Sequence, residues 1–235
     1  PAAFGPLAGA PPCGRVPVSV GRAALGVFRF LFGNDVALSL NDVLAQSAEI
    51  VGERDAGWAD TADILGFIHD RLKVYLRDQG IRHDVIDACI AMEGSDDLTL
   101  LVKRARALSE TLKTDDGENL IQGFKRANNI LSQADEADGV EYSFGADPKF
   151  AETEAEKDLF TALDAAEAKI APAMAAQDFS SAMAAMAELR GPIDAFFEAV
   201  QVNAENATVR RNRLNLLSRI RTICGSVADL TRLDG

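Results

Sequence analysis

The sequence predicts an all-α protein: a helical bundle in which a smaller helical region precedes a larger C-terminal domain. From Arg22 onward, apolar residues recur mainly at three- and four-residue spacing, the period of an amphipathic helix. Residues that start or stop helices, such as Gly80 and Asn206, separate these segments. No segment shows the sustained two-residue alternation and β-branched enrichment of a half-buried strand. We therefore expect helices and no sheet.

The composition is that of a globular protein with an acidic balance. The 235 residues include 24 basic and 36 acidic side chains, for a formal net charge of −12, and 48% of them are hydrophobic. This charge argues against binding nucleic acid or an anionic membrane through bulk charge. The longest apolar stretch, Ala23 to Phe32, is shorter than the roughly 18–20 residues of a membrane-spanning helix. We therefore expect a cytoplasmic protein with neither a DNA nor a membrane partner.

The first 21 residues differ from the rest of the chain. Five of the eight prolines lie before residue 18, among glycines and alanines. This composition indicates a linker or the truncated edge of a domain. We interpret the chain as part of a longer protein. A break at Gly94 indicates a boundary near Glu93. The expected organisation is an atypical segment at 1–21, a helical region at 22–93 and a helical domain at 94–235.

The helices around this boundary have recognisable starts and stops. The segment His83 to Met92 predicts a short helix, and Ser95 is the expected N-cap of the next one. Apolar residues keep a helical period from Leu98 to Leu112, and Asp116-Gly117 is the expected break after it. An earlier helix ends at Gly80, and its apolar stripe consists of Ile64, Phe67, Ile68, Leu72, Tyr75 and Leu76.

An acidic segment, Asp135 to Asp158, follows in the C-terminal half. It holds nine acidic residues against Lys149 and Lys157, with glycines and a proline inside it. We expect it to begin as a solvated loop and to return to helix near Glu152. The remaining predicted helices are Glu152 to Ala175, Ser180 to Leu189, Pro192 to Val202, and a last helix from an Asn206 cap to about Cys224.

Residues that could carry catalysis are few. His69-Asp70 and His83-Asp84 are doublets of the kind that hold a divalent metal in HD-type phosphohydrolases, but such a site needs more ligands and the chain has only two histidines. The cysteines Cys13, Cys89 and Cys224 are far apart, which indicates reduced thiols. No Walker or Rossmann phosphate loop occurs. We therefore predict no catalytic residue and no metal site.

Basic residues are concentrated in two windows, Asn119 to Gln133 and Ala207 to Ile223, which contain no acidic residue. Helix faces rich in donors and free of carboxylates suit phosphate oxygens and unpaired bases. The alternative for either face alone is an ordinary solvated helix surface. The seven basic residues are Lys125, Arg126, Arg210, Arg211, Arg213, Arg219 and Arg221.

Helical wheels separate a donor face from an apolar face in each window. The first donor face consists of Gln122, Lys125, Arg126 and Asn129. In the last helix the residues expected to face away from the core are Arg211, Asn215 and Ser218, flanked by Arg210 and Arg221. Arg213 projects near the apolar stripe, and we expect it to form a structural ion pair with Asp194 or Asp229.

Several separated stretches of the sequence resemble one known family. The stretches Gly123 to Leu131, Ala195 to Glu205 and Val209 to Leu217 resemble the C-terminal end of the bacterial glycyl-tRNA synthetase beta subunit. That end is similar to the all-helical DALR anticodon-binding domain also found in arginyl-tRNA synthetases. The similarity extends from about Arg22 to Leu233. It is specific because several separated motifs occur in the right order. The upstream stretches that resemble the same subunit are Arg22 to Gly26, Gly66 to Leu72 and Tyr75 to Gly80.

The resemblance implies a tRNA-binding, non-catalytic part of a two-subunit class II aminoacyl-tRNA synthetase, a glycine–tRNA ligase. It implies that the alpha subunit forms glycyl-adenylate while the beta subunit binds tRNA, so glycine tRNA and the alpha subunit are the implied partners. The holoenzyme uses ATP and Mg²⁺, and no cofactor is expected on this part of it. The residues implied for the RNA face are Lys125, Arg126, Asn129, Arg210, Arg211 and Arg213.

Residues 1–21 depart from the family pattern. The family has Asp-Pro, an aromatic residue and Ala-Leu-Arg-Arg where this chain has the stretch Val16 to Arg22, so no family property is transferred to this segment. The residues alone leave two alternatives open. One is a helical protein-docking module whose basic helices contact an acidic partner, and the other, less favoured, is an HD-type hydrolase.

Overall fold

The computed structural model describes residues 18–52 and 61–234. These residues form α-helices and two 3-10 turns, Pro148–Phe150 and Leu230–Arg232, and no strand within them, which confirms the all-α prediction. None of the described helices is long and apolar enough to cross a membrane. The helices are α1 Val18–Gly33, α2 Leu40–Gly52, α3 Thr61–Asp78, α4 His83–Ile90, α5 Leu98–Thr111, α6 Asp115–Asp138, α7 Glu154–Ala175, α8 Phe179–Ala187, α9 Arg190–Ala199 and α10 Ala207–Gly225.

The chain divides into two compact units, residues 1–105 and 106–235. The junction between them lies inside α5. The boundary predicted from the sequence is near Glu93 instead. The glycine break at Gly94 therefore separates α4 from α5, which is a change of helix rather than a change of unit.

In the first unit, α3 packs against α1, α2 and α4. The rings of Phe28 and Phe32 on α1 contact Tyr75 on α3, with ring centroids 5.8 and 5.7 Å from it. A hydrogen bond joins the segment before α5 to the start of α2, since Ser39 Oγ donates to Asp96 Oδ2 at 2.6 Å. That hydrogen bond holds the pKa of Asp96 below its usual value.

In the second unit, α10 packs against both α6 and α7, while α8 and α9 pack against α7. Arg210 near the start of α10 pairs with Asp138 near the end of α6 at 2.7 Å. Further along α10, Arg221 approaches Asp135 at 3.6 Å. Both arginines of α10 thus reach carboxylates in the last turn of α6. The core side chains of α6 and α10 include Leu120, Phe124, Leu131, Leu216 and Ile220.

The predicted break at Asp116-Gly117 is wrong, because both residues lie in the first turn of α6. Thr114 caps this helix, and its side chain accepts a hydrogen bond from the backbone N of Gly117 at 3.1 Å. A Cβ on Gly117 would lie 2.1 Å from the carbonyl O of Thr111. The glycine at this position thus permits a close approach of two backbone segments, and does not end a helix.

The acidic segment also begins differently from the prediction. Residues from Asp135 to Asp138 are helical, and α6 ends at Gly139, whose φ of 65° lies in the left-handed region that favours glycine. The loop therefore starts at Gly139. The return to helix is close to the prediction, because Thr153 and Glu156 form a capping box at the start of α7.

Two helix starts before the acidic segment are corrected as well. The side chain of Asp97, and not that of Ser95, accepts hydrogen bonds from the first turn of α5, from the backbone N of Thr99 and of Leu100 at 3.0 Å each. Helix α1 begins at Val18, since the proline-rich composition ends at Pro17. The rest of the predicted N-terminal linker, residues 1–17, lies outside the described residues.

The last two helices follow the sequence signals closely. The side chain of Asn206 accepts from the backbone N of Thr208 and of Val209, which confirms it as the cap of α10. Helix α9 runs from Arg190 to Ala199, so it starts before the predicted Pro192. A proline is tolerated within the first helical turn, where its missing N–H has no partner to lose.

Candidate nucleic-acid interface

Helix α6 has the amphipathic arrangement predicted for it. Its apolar stripe, which includes Phe124 and Leu131, is buried in the second unit. On the opposite side the side chains of Arg126 and Asn129 are exposed and that of Lys125 is half-buried. No carboxylate pairs with Lys125 or Arg126 among the described residues. The surface formed by Gln122, Lys125, Arg126 and Asn129 is called the α6 donor face.

Arg126 is held in place by an aromatic ring. Its guanidinium carbon lies 4.4 Å from the centroid of the Phe197 ring, which belongs to α9. Phe197 in turn packs edge-on against the buried Phe196, with centroids 5.4 Å apart. A guanidinium that stacks on a ring face keeps its in-plane N–H donors available for a phosphate or a base. The stack therefore orders Arg126 without consuming its donors.

Helix α10 contributes less exposed surface than predicted. Arg211 is exposed, but Asn215 and Ser218, which were expected on the same outward face, are only 7% and 6% exposed. The reason is that α10 is enclosed by its neighbours along its middle, so even its polar side chains lie inside the unit. Only the first turns of α10, with Arg210 and Arg211, reach the region where a ligand could bind.

The donors of Arg210 are engaged within the protein. Its Nη1 donates to Asp138 Oδ2 at 2.7 Å and to the Tyr142 hydroxyl at 3.2 Å, and its Nε donates to Asn203 Oδ1 at 3.3 Å. The Tyr142 hydroxyl also donates to Asp138, and this bond, followed by that from Arg210, lowers the pKa of Asp138. Arg210 thus joins three segments and positions the first turn of α10.

Arg213 lies in the interior. Its Nε donates to Glu156 Oε1 at 2.7 Å, its Nη2 to Glu152 Oε2 at 3.1 Å, and its Nη1 to the carbonyl of Gln201 at 3.0 Å. Glu156 is 1% exposed. Burial by itself would raise the pKa of Glu156, but the hydrogen bonds from Arg213 and Thr153 outweigh it and keep the pKa below its usual value. Arg213 therefore presents no free donor to RNA.

The expected ion pair of Arg213 is present, but its partners were predicted wrongly. The candidate Asp194 faces Arg190 at 3.5 Å, and the candidate Asp229 pairs with Arg232 at 2.8 Å.

Two other basic residues of α10 also lie close to carboxylates of the same unit. Arg219 pairs with carboxylates of α7, and Arg221 lies near one on α6.

The available basic side chains of the two basic windows, Lys125 and Arg126 on α6 and Arg211 on α10, lie in two places and not one. Asp138 marks the point on α6 beside Arg210, and Arg126 lies about three helical turns, or about 18 Å, before it along α6. The α6 donor face therefore lies in the middle of α6, whereas Arg210 and the exposed Arg211 lie near the end of that helix. A ligand that touches both must extend along the unit.

The other residues considered for chemistry have structural environments. His69 Nε2 donates to the carbonyl of Ser95 at 2.9 Å, and the buried Asp84 pairs with Arg82. Burial raises the pKa of Cys89 and of Cys224 to about 12, so both thiols are protonated at neutral pH. Cys13 lies outside the described residues. No group of three possible metal ligands occurs in the described parts of the chain.

Two exposed aromatic rings in this region were not predicted from the sequence. The loop between α6 and α7 exposes Phe144 and Phe150, which are 83% and 46% exposed. The sequence analysis interprets this segment only by its acidic charge. The sequence does contain a signal for this exposed pair. The two phenylalanines do not follow the three- and four-residue spacing of a helix, and they lie in a stretch with glycine and proline, which is typical of a loop.

Comparison with known proteins identifies two family matches along the chain. The DALR anticodon binding domain matches residues 120–230, and the glycyl-tRNA synthetase beta subunit matches residues 8–91. The second match starts inside the N-terminal segment, for which the sequence analysis transfers nothing from the family. Both matches confirm the resemblance inferred from the motifs.

Individual relatives agree with these matches. The glycine–tRNA ligase beta subunit of Ruegeria sp. strain TM1040 is 66% identical over 219 residues, which cover 93% of this chain and 31% of that protein. The subunits of Dinoroseobacter shibae and Rhodospirillum centenum are 61% and 46% identical, and the matches cover 34% and 31% of their lengths. The chain thus spans about a third of the length of these relatives.

Proposed function

Because the chain belongs to the glycyl-tRNA synthetase beta-subunit family, we propose that it is the tRNA-binding part of a two-subunit glycine–tRNA ligase. Its second unit binds the anticodon region of glycine tRNA. The observation that carries the proposal is the coincidence of the DALR match, residues 120–230, with the second unit, which holds the exposed or half-buried Lys125, Arg126 and Arg211. Adenylate formation with ATP and Mg²⁺ belongs to the alpha subunit.

The interface proposed here is smaller than the set of residues named from the sequence. Lys125, Arg126 and Arg211 contact phosphates, because each is at least partly exposed and lacks a carboxylate partner among the described residues. Asn129 is exposed on the same side as Lys125 and offers both a donor and an acceptor to a base edge. Arg210 acts by positioning the first turn of α10.

The test compares two triple variants with equal loss of positive charge. In the first, Lys125→Gln, Arg126→Gln and Arg211→Gln, we expect the affinity for glycine tRNA to fall by about tenfold or more at low salt. The slope of log K against log salt should also flatten by about 2, since each single-stranded phosphate contact contributes about 0.7. Both quantities come from tRNA titrations of the full chain at several salt concentrations.

The matched control replaces Lys113, Lys157 and Lys169 with glutamine. These lysines are exposed on the same unit, and each forms a surface ion pair with a glutamate. Surface pairs of this kind contribute little to stability, so both variants should fold. Equal losses of affinity in the two variants would mean that net charge, and not this interface, determines binding. Full affinity in the first variant would contradict the proposal and favour a protein-docking role.

A further inference from the structure

The loop between α6 and α7, residues 139–153, exposes large apolar side chains to water. Val140, Phe144 and Phe150 are 53%, 83% and 46% exposed. The residues between them include the polar Glu141, Ser143, Asp147 and Lys149, and the aromatic Tyr142 between Val140 and Phe144 is buried. The loop therefore presents separate rings and not the continuous apolar patch that a protein partner usually covers.

One end of this loop is anchored through Tyr142. The backbone N of Tyr142 donates to Asp135 Oδ1 at 3.2 Å, and its hydroxyl bonds to Asp138 and Arg210. The side chain of Tyr142 is largely buried, at 6% exposure. An aromatic residue two positions before Phe144 is thus fixed against α6 and α10.

The other end is anchored by Asn212 of α10. Asn212 Oδ1 accepts from the backbone N of Asp147 at 2.8 Å, and its Nδ2 donates to the carbonyl of Asp147 at 3.1 Å. Asp147 Oδ1 then accepts from the backbone N of Lys149, which starts the turn that carries Phe150. Phe144 therefore lies between two bonded residues, and Phe150 lies in the turn that Asp147 caps. Little conformational entropy has to be lost to order either ring when a ligand binds.

Two exposed positive side chains are next in sequence to residues of this loop or of its anchor. Lys149 is exposed directly before Phe150, and Arg211 is exposed directly before the anchoring Asn212. Neither has an ion-pair partner among the described residues. Aromatic rings with neighbouring cations are the side-chain combination that binds unpaired nucleotides, since every base has a face that can stack and every nucleotide carries a phosphate.

We infer that Phe144 and Phe150 form a stacking platform for unpaired bases of a bound RNA, with Lys149 and Arg211 on the flanking phosphates. This inference rests on the proposed binding of tRNA by the second unit and adds an element to it. It extends the contact surface from the first turn of α10 onto the loop. Base-paired RNA, whose bases are already stacked on one another, gains little from such a platform.

The test replaces both rings with leucine, which keeps an apolar side chain but cannot stack on a base. We expect Phe144→Leu/Phe150→Leu to bind single-stranded RNA and glycine tRNA about fivefold or more weakly, with an unchanged salt slope because the phosphate contacts remain. Phe144→Trp/Phe150→Trp should keep the affinity of the original chain. The control is Phe30→Leu, a change at a phenylalanine of the first unit that is 62% exposed.

Each outcome bears on the inference. Wild-type affinity in the double leucine variant overturns it, and so does an equal loss in the leucine and tryptophan variants, which would indicate a requirement for shape and not for stacking. A loss confined to base-paired RNA also overturns it. If the original chain binds no tRNA, both this inference and the proposed function fail, whereas failure of the platform alone leaves the salt-dependent effect of Lys125, Arg126 and Arg211 intact. Helical circular dichroism checks that the variants fold.

Discussion

Replacing Arg213 with methionine is expected to lower the free energy of unfolding of the second unit by about 3–5 kcal/mol. Methionine has a similar reach but no charge, so Glu156, which is 1% exposed, would lose the cation that balances it. The bond from Arg213 to the carbonyl of Gln201 would be lost as well. Urea unfolding followed by helical circular dichroism measures this difference.

Two further variants identify the cause of the loss. Arg211→Met removes a neighbouring exposed arginine and should change the stability by no more than about 0.5 kcal/mol. Arg213→Met combined with Glu156→Leu removes both charges and should recover much of the stability, because the main cost is an unpaired buried carboxylate. If Arg213→Met were as mild as Arg211→Met, the interior ion pair would not support the fold in the way described here.

The effect of Arg213→Met should also depend on pH. The pKa of Glu156 is lowered in the folded protein from its ordinary value of 4.5. Its contribution to stability is therefore present above about pH 4.5 and is lost as the pH falls through the folded-state pKa. In acid the carboxyl is protonated with or without Arg213. The difference between the original chain and the variant should accordingly shrink below pH 4.5 and be fully present at neutral pH.

A series of glycine-to-alanine changes in the second unit should show a graded loss of stability. Gly117→Ala is expected to cost about 3 kcal/mol, the upper part of the usual range for overpacking, because its Cβ would lie 2.1 Å from a backbone carbonyl of Thr111. Gly123→Ala should cost about 1 kcal/mol. Its Cβ would lie 2.9 Å from Cγ2 of Ile193, a side-chain atom that can move.

Gly191 supplies the control for this series. No heavy atom lies within 4 Å of a Cβ built there, and the residue is in the first turn of α9. Alanine has the higher helix propensity, but a Cβ directly before Pro192 disfavours the helical conformation, so Gly191→Ala should change the stability by no more than about 1 kcal/mol. The same unfolding measurement applies to all three variants. An equal effect at Gly117 and Gly191 would contradict the close approach of α6 to the end of α5.

Much of the fold could be predicted because it depends on local sequence. The apolar stripe of α6, the Asn206 cap and the return to helix near Glu152 are set by residues within a few positions of one another. The misplaced break at Gly117 shows the limit of such reasoning. A glycine that permits close backbone contact and a glycine that ends a helix look the same in a sequence.

The candidate site was harder to predict because it depends on contacts between distant residues. Arg210 meets Asp138, and Arg213 meets Glu156, across more than fifty residues of chain. A helical wheel places both arginines correctly on α10 but cannot show which carboxylates lie opposite them. The burial of Asn215 follows from the neighbours of α10 in the same way. Arg126 and Asn129 of the α6 donor face and Arg211 of α10, which have no carboxylate opposite them among the described residues, were assigned correctly as exposed.

Ultraviolet crosslinking of glycine tRNA to the full chain, followed by peptide mass spectrometry, tests the central claim most directly. The claim is that the second unit binds RNA through the α6 donor face and the first turn of α10. We expect crosslinked peptides from residues 122–129 and 206–212, and their loss in the variant that lacks Lys125, Arg126 and Arg211. Crosslinks confined to residues 22–105, or unchanged in that variant, would contradict the claim.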